Sequence, residues 1–355
     1  MAKKITMQQI ADYLGVSKFV VSKALSGKGG VSGTTKERVI HAASQLGYFA
    51  QNNSYVRNNS SEAAQTAAAQ KQTVLVLMPN IRFQTKESLY WGRILDGISA
   101  RLEEKGFGMM IISEQSIDQI ASVFNPRGIA GLIGVGEIST SLLLEVHRIG
   151  LPMVLVDHED PLIPTDTVFV NNYDCMYRLT KHLVGIGHRE ISFLGGVRYS
   201  RSFMDRWTGF RSALEESGHY SSSIHLTDLE GFADFEEQIK AWLQGLKKLK
   251  NQPLPTAVVC ANDNIALGAI AAFRDLGLSV PDEISVTGFD NIEDAYRMRP
   301  ALTTVHVPKE ALGRRAVDKL FERSARSLDP LEKILIAGEL IFRDSIVEVE
   351  GHTYA

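Results

Sequence analysis

The chain has 355 residues, 44% of them apolar and 22% charged, with a net charge of −3. That length exceeds one ordinary domain, and no apolar run approaches a membrane span. Two distant cysteines, Cys175 and Cys260, argue against a disulfide scaffold, and the basic start without an apolar stretch is not a secretory signal, so a cytosolic chain is expected.

The charge is uneven. Residues 1–50 carry seven Lys or Arg (Lys3, Lys4, Lys18, Lys23, Lys28, Lys36, Arg38) against Asp12 and Glu37, a net of +5 that leaves −8 for the remainder. A basic head on an acidic body suits a chain whose head alone meets phosphate, although the same cations could simply solvate short helices. Three such helices are predicted. Thr6 and Gln9 fit a capping box opening a helix through Ile10 and Leu14 to Gly15. Ser17 caps a second, with Val20, Val21, Ala24 and Leu25 on its apolar side and an end near Gly27. Thr34 and Glu37 repeat the capping pattern before a third, through Val39, Ala42, Ala43 and Leu46 to Gly47. Helices this short must share a core to be stable. The tight Gly15-Val16-Ser17 link is of helix-turn-helix type.

Residues 5–48, carrying Ile10, Ala11, Gly15, Val16 and Ser17, then Val31 and Ser32, then Leu46, Gly47 and Tyr48, resemble the DNA-binding head of the lactose-repressor/galactose-repressor (LacI/GalR) family in order and spacing. The resemblance implies that the second helix enters the major groove and presents Lys18, Phe19, Ser22 and Lys23. Lys23 stands where the family usually has Arg; it can donate to guanine but lacks the planar fork. Phe19 can only press on an apolar group such as a thymine methyl. Thr6, Ser17, Ser32 and Thr34 match positions that hold the phosphate backbone; for Ser17 and Thr34 plain helix capping is an equally good reading.

The family then usually shows Tyr-x-Pro-Asn-x-x-Ala-Arg-x-Leu, a hinge helix whose leucines wedge into the minor groove. Here Tyr48 is followed by Phe49, Ala50 and Gln51, and the pattern is absent. Residues 51–72 form an atypical linker: 52–61 reads as flexible by composition, 62–71 as a short alanine-rich helix, and Val56 is the one apolar wedge candidate.

From residue 73 onward short apolar runs alternate with amphipathic stretches, the pattern of parallel sheets wound with crossover helices. The runs begin at Thr73, Met109, Gly131 and Met153; a second series is expected to restart at Val168 and to continue at Ile191, Ala257 and Ile284. Ligands in such sheets sit beyond the carboxyl ends of strands, here Asn80, Asp157, Gly195, Gly196, Asn262, Asp263 and Asp290. This body also resembles the family's effector domain, of periplasmic-binding-protein fold, at Gly187 to Ile191, Arg206 to Phe210, Ala261 to Gly268, Ile284 to Asp290 and Leu302 to Val305. The expected fold is therefore an all-α helix-turn-helix head (1–50), the linker, and an α/β body of parallel sheets (73–355). By the resemblance the body has an N-subdomain of about 73–160 and 294–322 and a C-subdomain of about 165–291 and 325–355, with crossings near 161–165, 291–294 and 322–325.

The family's ligand-contacting positions fall on Asp157, Ser202, Arg206, Asn262 and Asp290, a set able to grip adjacent hydroxyls. For Asp290 a helix N-cap is the competing reading. Tyr90, Trp91 and Phe232 are stacking candidates for a sugar or base face, although aromatics at helical spacing are more often core. Cys175 stands where Gly is usual, and Asn171-Asn172 where Asp-Asn is usual. Gly131, Gly134 and Gly136 do not make a dinucleotide fingerprint; His182 and His188 lack further metal ligands, and no catalytic constellation is present. The expectation is a non-enzymatic homodimeric repressor without cofactor, metal or membrane contact. It binds an inverted-repeat operator and responds to a small molecule, a carbohydrate by this reading. A solute-binding protein of the same body fold, or a repressor controlled by a protein co-regulator, remain alternatives.

Overall fold

The computed structural model describes residues 6–25, 35, 38, 39, 42, 72–78, 89–112, 128–148, 150–220, 226, 227, 229, 235–248 and 254–349. The chain divides into two compact units, Met1–Ala69 and Gln70–Ala355. In the first, α1 (Met7–Leu14) opens with the expected capping box: the Gln9 amide donates to Thr6 Oγ1 at 3.3 Å and the Thr6 amide to Gln9 Oε1 at 2.8 Å. It ends where Gly15 turns left-handed at φ 66°. Ser17 Oγ accepts the Val20 amide at 3.3 Å and starts α2 (Lys18–Leu25). Ile10, Ala11, Val21 and Ala24 pack with Val39 and Ala42 into one small core, so all three predicted segments contribute to it. Val20, expected on the apolar side, is only half-buried. The Thr34–Glu37 capping box and residues 51–71 lie outside the described residues.

The second unit holds two parallel sheets. The larger, in the order β11-β5-β4-β3-β1-β2, comprises β1 (Thr73–Leu77), β2 (Gly108–Ile112), β3 (Ile129–Val135), β4 (Met153–Val156), β5 (Asp166–Val170) and β11 (Lys333–Ile336). The smaller, in the order β7-β6-β8-β9, comprises β6 (Ile191–Leu194), β7 (Leu226–Thr227), β8 (Ala257–Cys260) and β9 (Ser285–Thr287). An antiparallel pair, β10 (Thr304–His306) with β12 (Glu339–Ile341), completes the strands among the described residues. The crossover helices include α3 (Leu89–Glu104), α4 (Thr140–Arg148), α5 (Asn172–Gly185), α6 (Arg201–Glu216), α7 (Phe235–Lys248) and α8 (Asp263–Asp275). The short α9 (Glu293–Arg297) and the long α10 (Lys309–Ala325) follow.

The strand pairing corrects the expected partition. The run at Val168 does not open a second series: β5 pairs with β4 through Val154 and Asp166, and β11 pairs with β5 through Lys333 and Thr167. The reason is Asp166, a fully buried carboxylate at the start of β5. It accepts Arg323 of α10 in a two-pronged bond at 2.6 and 3.1 Å, and the Glu332 amide at 2.8 Å. Those bonds pin β5, α10 and the approach to β11 together. The three crossings therefore fall later than expected, after Val170, between His306 and Lys309, and between Ile336 and Glu339.

Helices α3 and α10 approach closely at facing glycines. A Cβ on Gly97 would lie 2.1 Å from the Glu310 carbonyl oxygen, and one on Gly313 2.2 Å from that of Ile94. Backbone cannot swing away as a side chain can. Gly97→Ala and Gly313→Ala should each destabilise the chain by about 1–3 kcal/mol, as overpacking does. Gly245→Ala in α7, where a Cβ meets nothing within 4 Å, should be neutral or gain up to about 1 kcal/mol. Urea unfolding of the three variants checks the contrast.

Candidate functional site

On the head, burial of Val21 and Ala24 turns the other side of α2 to solvent. Lys18, Phe19 and Ser22 are exposed there, Phe19 at 68%, and Lys23 is half-buried with its Nζ 5.1 Å from the Phe19 ring centroid. Four of the predicted DNA-facing residues thus share one face. Thr6 and Ser17 also act as helix caps; Ser32 and Thr34 lie outside the described residues.

In the body, the predicted effector residues meet between the two sheets. Asp157 follows β4 in a left-handed turn, φ 54°. Its Oδ1 accepts a hydrogen bond from the hydroxyl of Ser202, which comes from the other sheet's helix α6. One turn further on, Arg206 is buried and held from three directions: Nε donates to Asn172 Oδ1 at 2.8 Å, Nη1 to the Ala261 carbonyl at 2.7 Å and Nη2 to Asp290 Oδ1 at 3.3 Å. The Phe289 ring lies under its guanidinium at 3.8 Å. Asp290 itself, at φ 113°, caps no helix: α9 begins after Ile292, whose amide bonds to Asp263 instead. Its carbonyl accepts from the Nζ of buried Lys309, at the second crossing. Asn262 is the N-cap of α8, its Oδ1 taking the Ile265 amide at 2.9 Å, which leaves its amide NH2 outside that bond.

Tyr90 is buried beside these groups, its hydroxyl next to the Asp157 carboxyl but outside full hydrogen-bond geometry. Burial first, then the charges of Asp157 and Asp290, push its pKa well above the usual tyrosine range. Trp91 packs edge-on to Tyr90 at 4.9 Å and against Gly136; Phe232 and Asn80 lie outside the described residues. Burial also raises the carboxyls: Asp157 to about 6, against the Ser202 bond and Arg206, and Asp290 upward against Arg206 and Lys309. Asp157 and Asp290 each keep a second carboxylate oxygen outside the bonds above.

Sequence reasoning placed two members of this cluster at strand ends without including them in the effector set. Asp263, adjacent to Asn262 in the same motif, is fully buried, with Oδ1 accepting from Thr304 at 2.6 Å and Oδ2 from the Ile292 amide at 2.8 Å. Asn172 was noted only as part of a strand end, and it supplies an acceptor for Arg206. Cys175 packs against Gly338 at the third crossing, where a Cβ would come within 2.9 Å of its sulfur. His188 is structural: Nδ1 meets Thr256 Oγ1 at 2.9 Å, Nε2 meets the Val347 carbonyl at 3.1 Å, and burial pushes its pKa down to about 4. Among the described residues no His, Cys, Asp or Glu cluster could hold a metal ion, and no helix is long and apolar enough to cross a membrane.

Comparison with known proteins matches both units. Residues 6–51 fit the family described as bacterial regulatory proteins, lacI family, and residues 180–346 a periplasmic binding protein-like domain. The HTH-type transcriptional repressor PurR of Histophilus somni is 29% identical over 96% of this chain and 98% of its own length. The HTH-type transcriptional regulator DegA of Bacillus subtilis is 27% identical, with coverage of 96% and 98%. Among solved structures, a lac repressor dimer bound to operator and an anti-inducer shares the fold at a TM-score of 0.63, with 23% identity over 97% of this chain and 99% of that one. A transcriptional regulator CelR–cellobiose complex does so at 0.66, with 22% identity over 96% and 99%.

The buried carboxyl of Asp263 sets a pH dependence. Burial first and then Asp290 raise its pKa to about 7, against the bonds from Thr304 and the Ile292 amide. A raised acid binds its proton more tightly in the native state. Its contribution is therefore full below the ordinary carboxyl range and is lost as pH rises through about 7. The stability of the parent relative to Asp263→Asn should fall across that window. Denaturation midpoints of both proteins, measured from acid to neutral pH, check the sign; a difference independent of pH would contradict it.

Proposed function

The chain belongs to the lacI family of bacterial regulatory proteins, and from that we propose that its grip on operator DNA is set by a neutral, hydroxyl-rich effector held around Arg206. As a member it is a ligand-modulated transcriptional repressor and not an enzyme. Repressors of this family bind operator DNA and small molecules as dimers. The proposal extends this to a cytosolic homodimer reading an inverted repeat, one head per half-site.

One observation carries the choice of effector: Asp157 and Asp290 reach the same small space from opposite sheets, each with an oxygen in reserve. Two buried carboxyls accept hydrogen bonds from hydroxyls well, and they oppose a phosphate or carboxylate. The Asn262 amide and the Tyr90 hydroxyl add polar capacity at the same place. Structural neighbours with cellobiose and with ribose bound are in keeping with this. A planar base is the second reading, favoured by Tyr90 and Trp91.

Thermal-shift titration with neutral sugars, sugar phosphates and purine bases separates the readings, because only a ligand of the native body raises its midpoint. A neutral sugar should raise it and its phosphate should not. Stabilisation by a sugar phosphate alone would overturn the proposal, and a purine base would support the second reading. In Arg206→Ala the shift should vanish while operator binding persists; a retained shift would remove Arg206 from the site.

For the head, we assign base reading to Lys18, Phe19, Ser22 and Lys23, and backbone contact to Thr6, Ser17, Ser32 and Thr34. Lys23→Ala should lose about 1–3 kcal/mol of discrimination at one base position, whereas a phosphate contact would weaken all sequences alike. Binding measured on operator variants at fixed salt distinguishes them.

A further inference from the structure

The mouth of the cleft holds a chain of ion pairs that the proposed effector contacts do not use. Glu159 lies two residues past Asp157, beyond the end of β4. It pairs with Lys333 of β11, in the same sheet, at 2.6 Å. It also pairs with Arg201, the first residue of α6, which belongs to the other sheet's layer. Arg201 in turn holds Asp205, one turn along its own helix, at 2.7 Å. Each partner of the pair across the cleft therefore has a second partner on its own side.

We propose that Glu159 and Arg201 form a reversible electrostatic latch favouring the closed arrangement of the two subdomains, with Lys333 and Asp205 as the partners each retains when the cleft opens. Breaking an ordinary pair between moving bodies leaves two charges to be rehydrated alone. Here each stays paired, so the two states differ little in energy, as a switch requires. The exposure fits a weak, tunable contact: the Arg201 side chain is 49% exposed and that of Glu159 22%. A pair of this kind shifts an open-to-closed ratio by about two- to five-fold and is screened by salt. Just inside it, the Ser202–Asp157 bond crosses the same gap, so opening the latch and freeing Asp157 for a ligand are one movement. The latch does not depend on which effector the cleft takes.

Pulsed electron-spin distance measurement on the full chain, without ligand, tests it. Spin labels go on Leu162→Cys and Leu254→Cys, exposed at 70% and 37% on the two sides, while both native cysteines are buried. Glu159→Gln, and independently Arg201→Gln, should move the population toward the longer distance by about two- to five-fold. Raising NaCl from about 0.05 to about 0.5 M should do the same in the parent and not in either variant. Lys333→Met leaves Glu159 to Arg201 alone and should move the population toward the shorter distance. An unchanged distribution in both latch variants, a salt response persisting in them, or a Lys333→Met protein no more closed than the parent overturns the proposal.

Discussion

A guanidinium keeps its charge in a protein, so one withdrawn from water has to be surrounded by acceptors. Arg206 meets that demand from three separate stretches of chain: the start of α5 through Asn172, the end of β8 through Ala261, and the turn after β9 through Asp290. Its burial therefore draws the carboxyl ends of two strands and the first crossing to a single point. Phe289 closes the remaining face by stacking at 3.8 Å. Lys309, itself buried, holds the Asp290 carbonyl and so ties the second crossing to the same cluster. Leaving out Asp290 would strand a buried charge, at a cost of several kcal/mol.

Asp166 shows what a completed buried carboxylate looks like. It has the Arg323 fork, the Glu332 amide and Lys319 nearby, and despite its burial these hold its carboxyl below the usual range. Asp157 and Asp290 have fewer donors to set against their desolvation, and both are pushed upward. The outcome at each carboxyl follows the balance between desolvation and the donors that offset it. Carboxyls raised in this way around a buried arginine make this cluster a candidate site, whereas Asp166 belongs to a structural ion-pair network.

Much of this was legible in the sequence because the relevant signals are local. The Thr6/Gln9 capping box, the Gly15 stop and the buried positions Ile10, Val21 and Val39 follow from helix chemistry within a few residues. So do the strands of the two sheets, as short apolar runs. The five predicted effector positions lie around one cleft, with Asn262 also serving as a cap. The misplaced boundaries needed information that periodicity does not hold. An apolar run at Val168 looks the same whichever sheet receives it; Asp166, 157 positions from Arg323, decides the matter. Asp263 was legible as a strand end but its part in the cluster was not, since its partners Thr304 and Ile292 are distant in sequence.

The corrected crossings change what the cleft can transmit. Val170 passes almost directly into Asn172, which holds Arg206, and His306 leads through Val307 to Lys309, which holds Asp290. The residues that absorb a change of angle between the subdomains are thus neighbours of those that grip the arginine. A ligand engaging Asp157 and Asp290 would act on both sheets and on two of the three crossings at once. It need not send a signal through packed side chains, because its own contacts differ between the two arrangements, and a differential contact is all that a population shift requires.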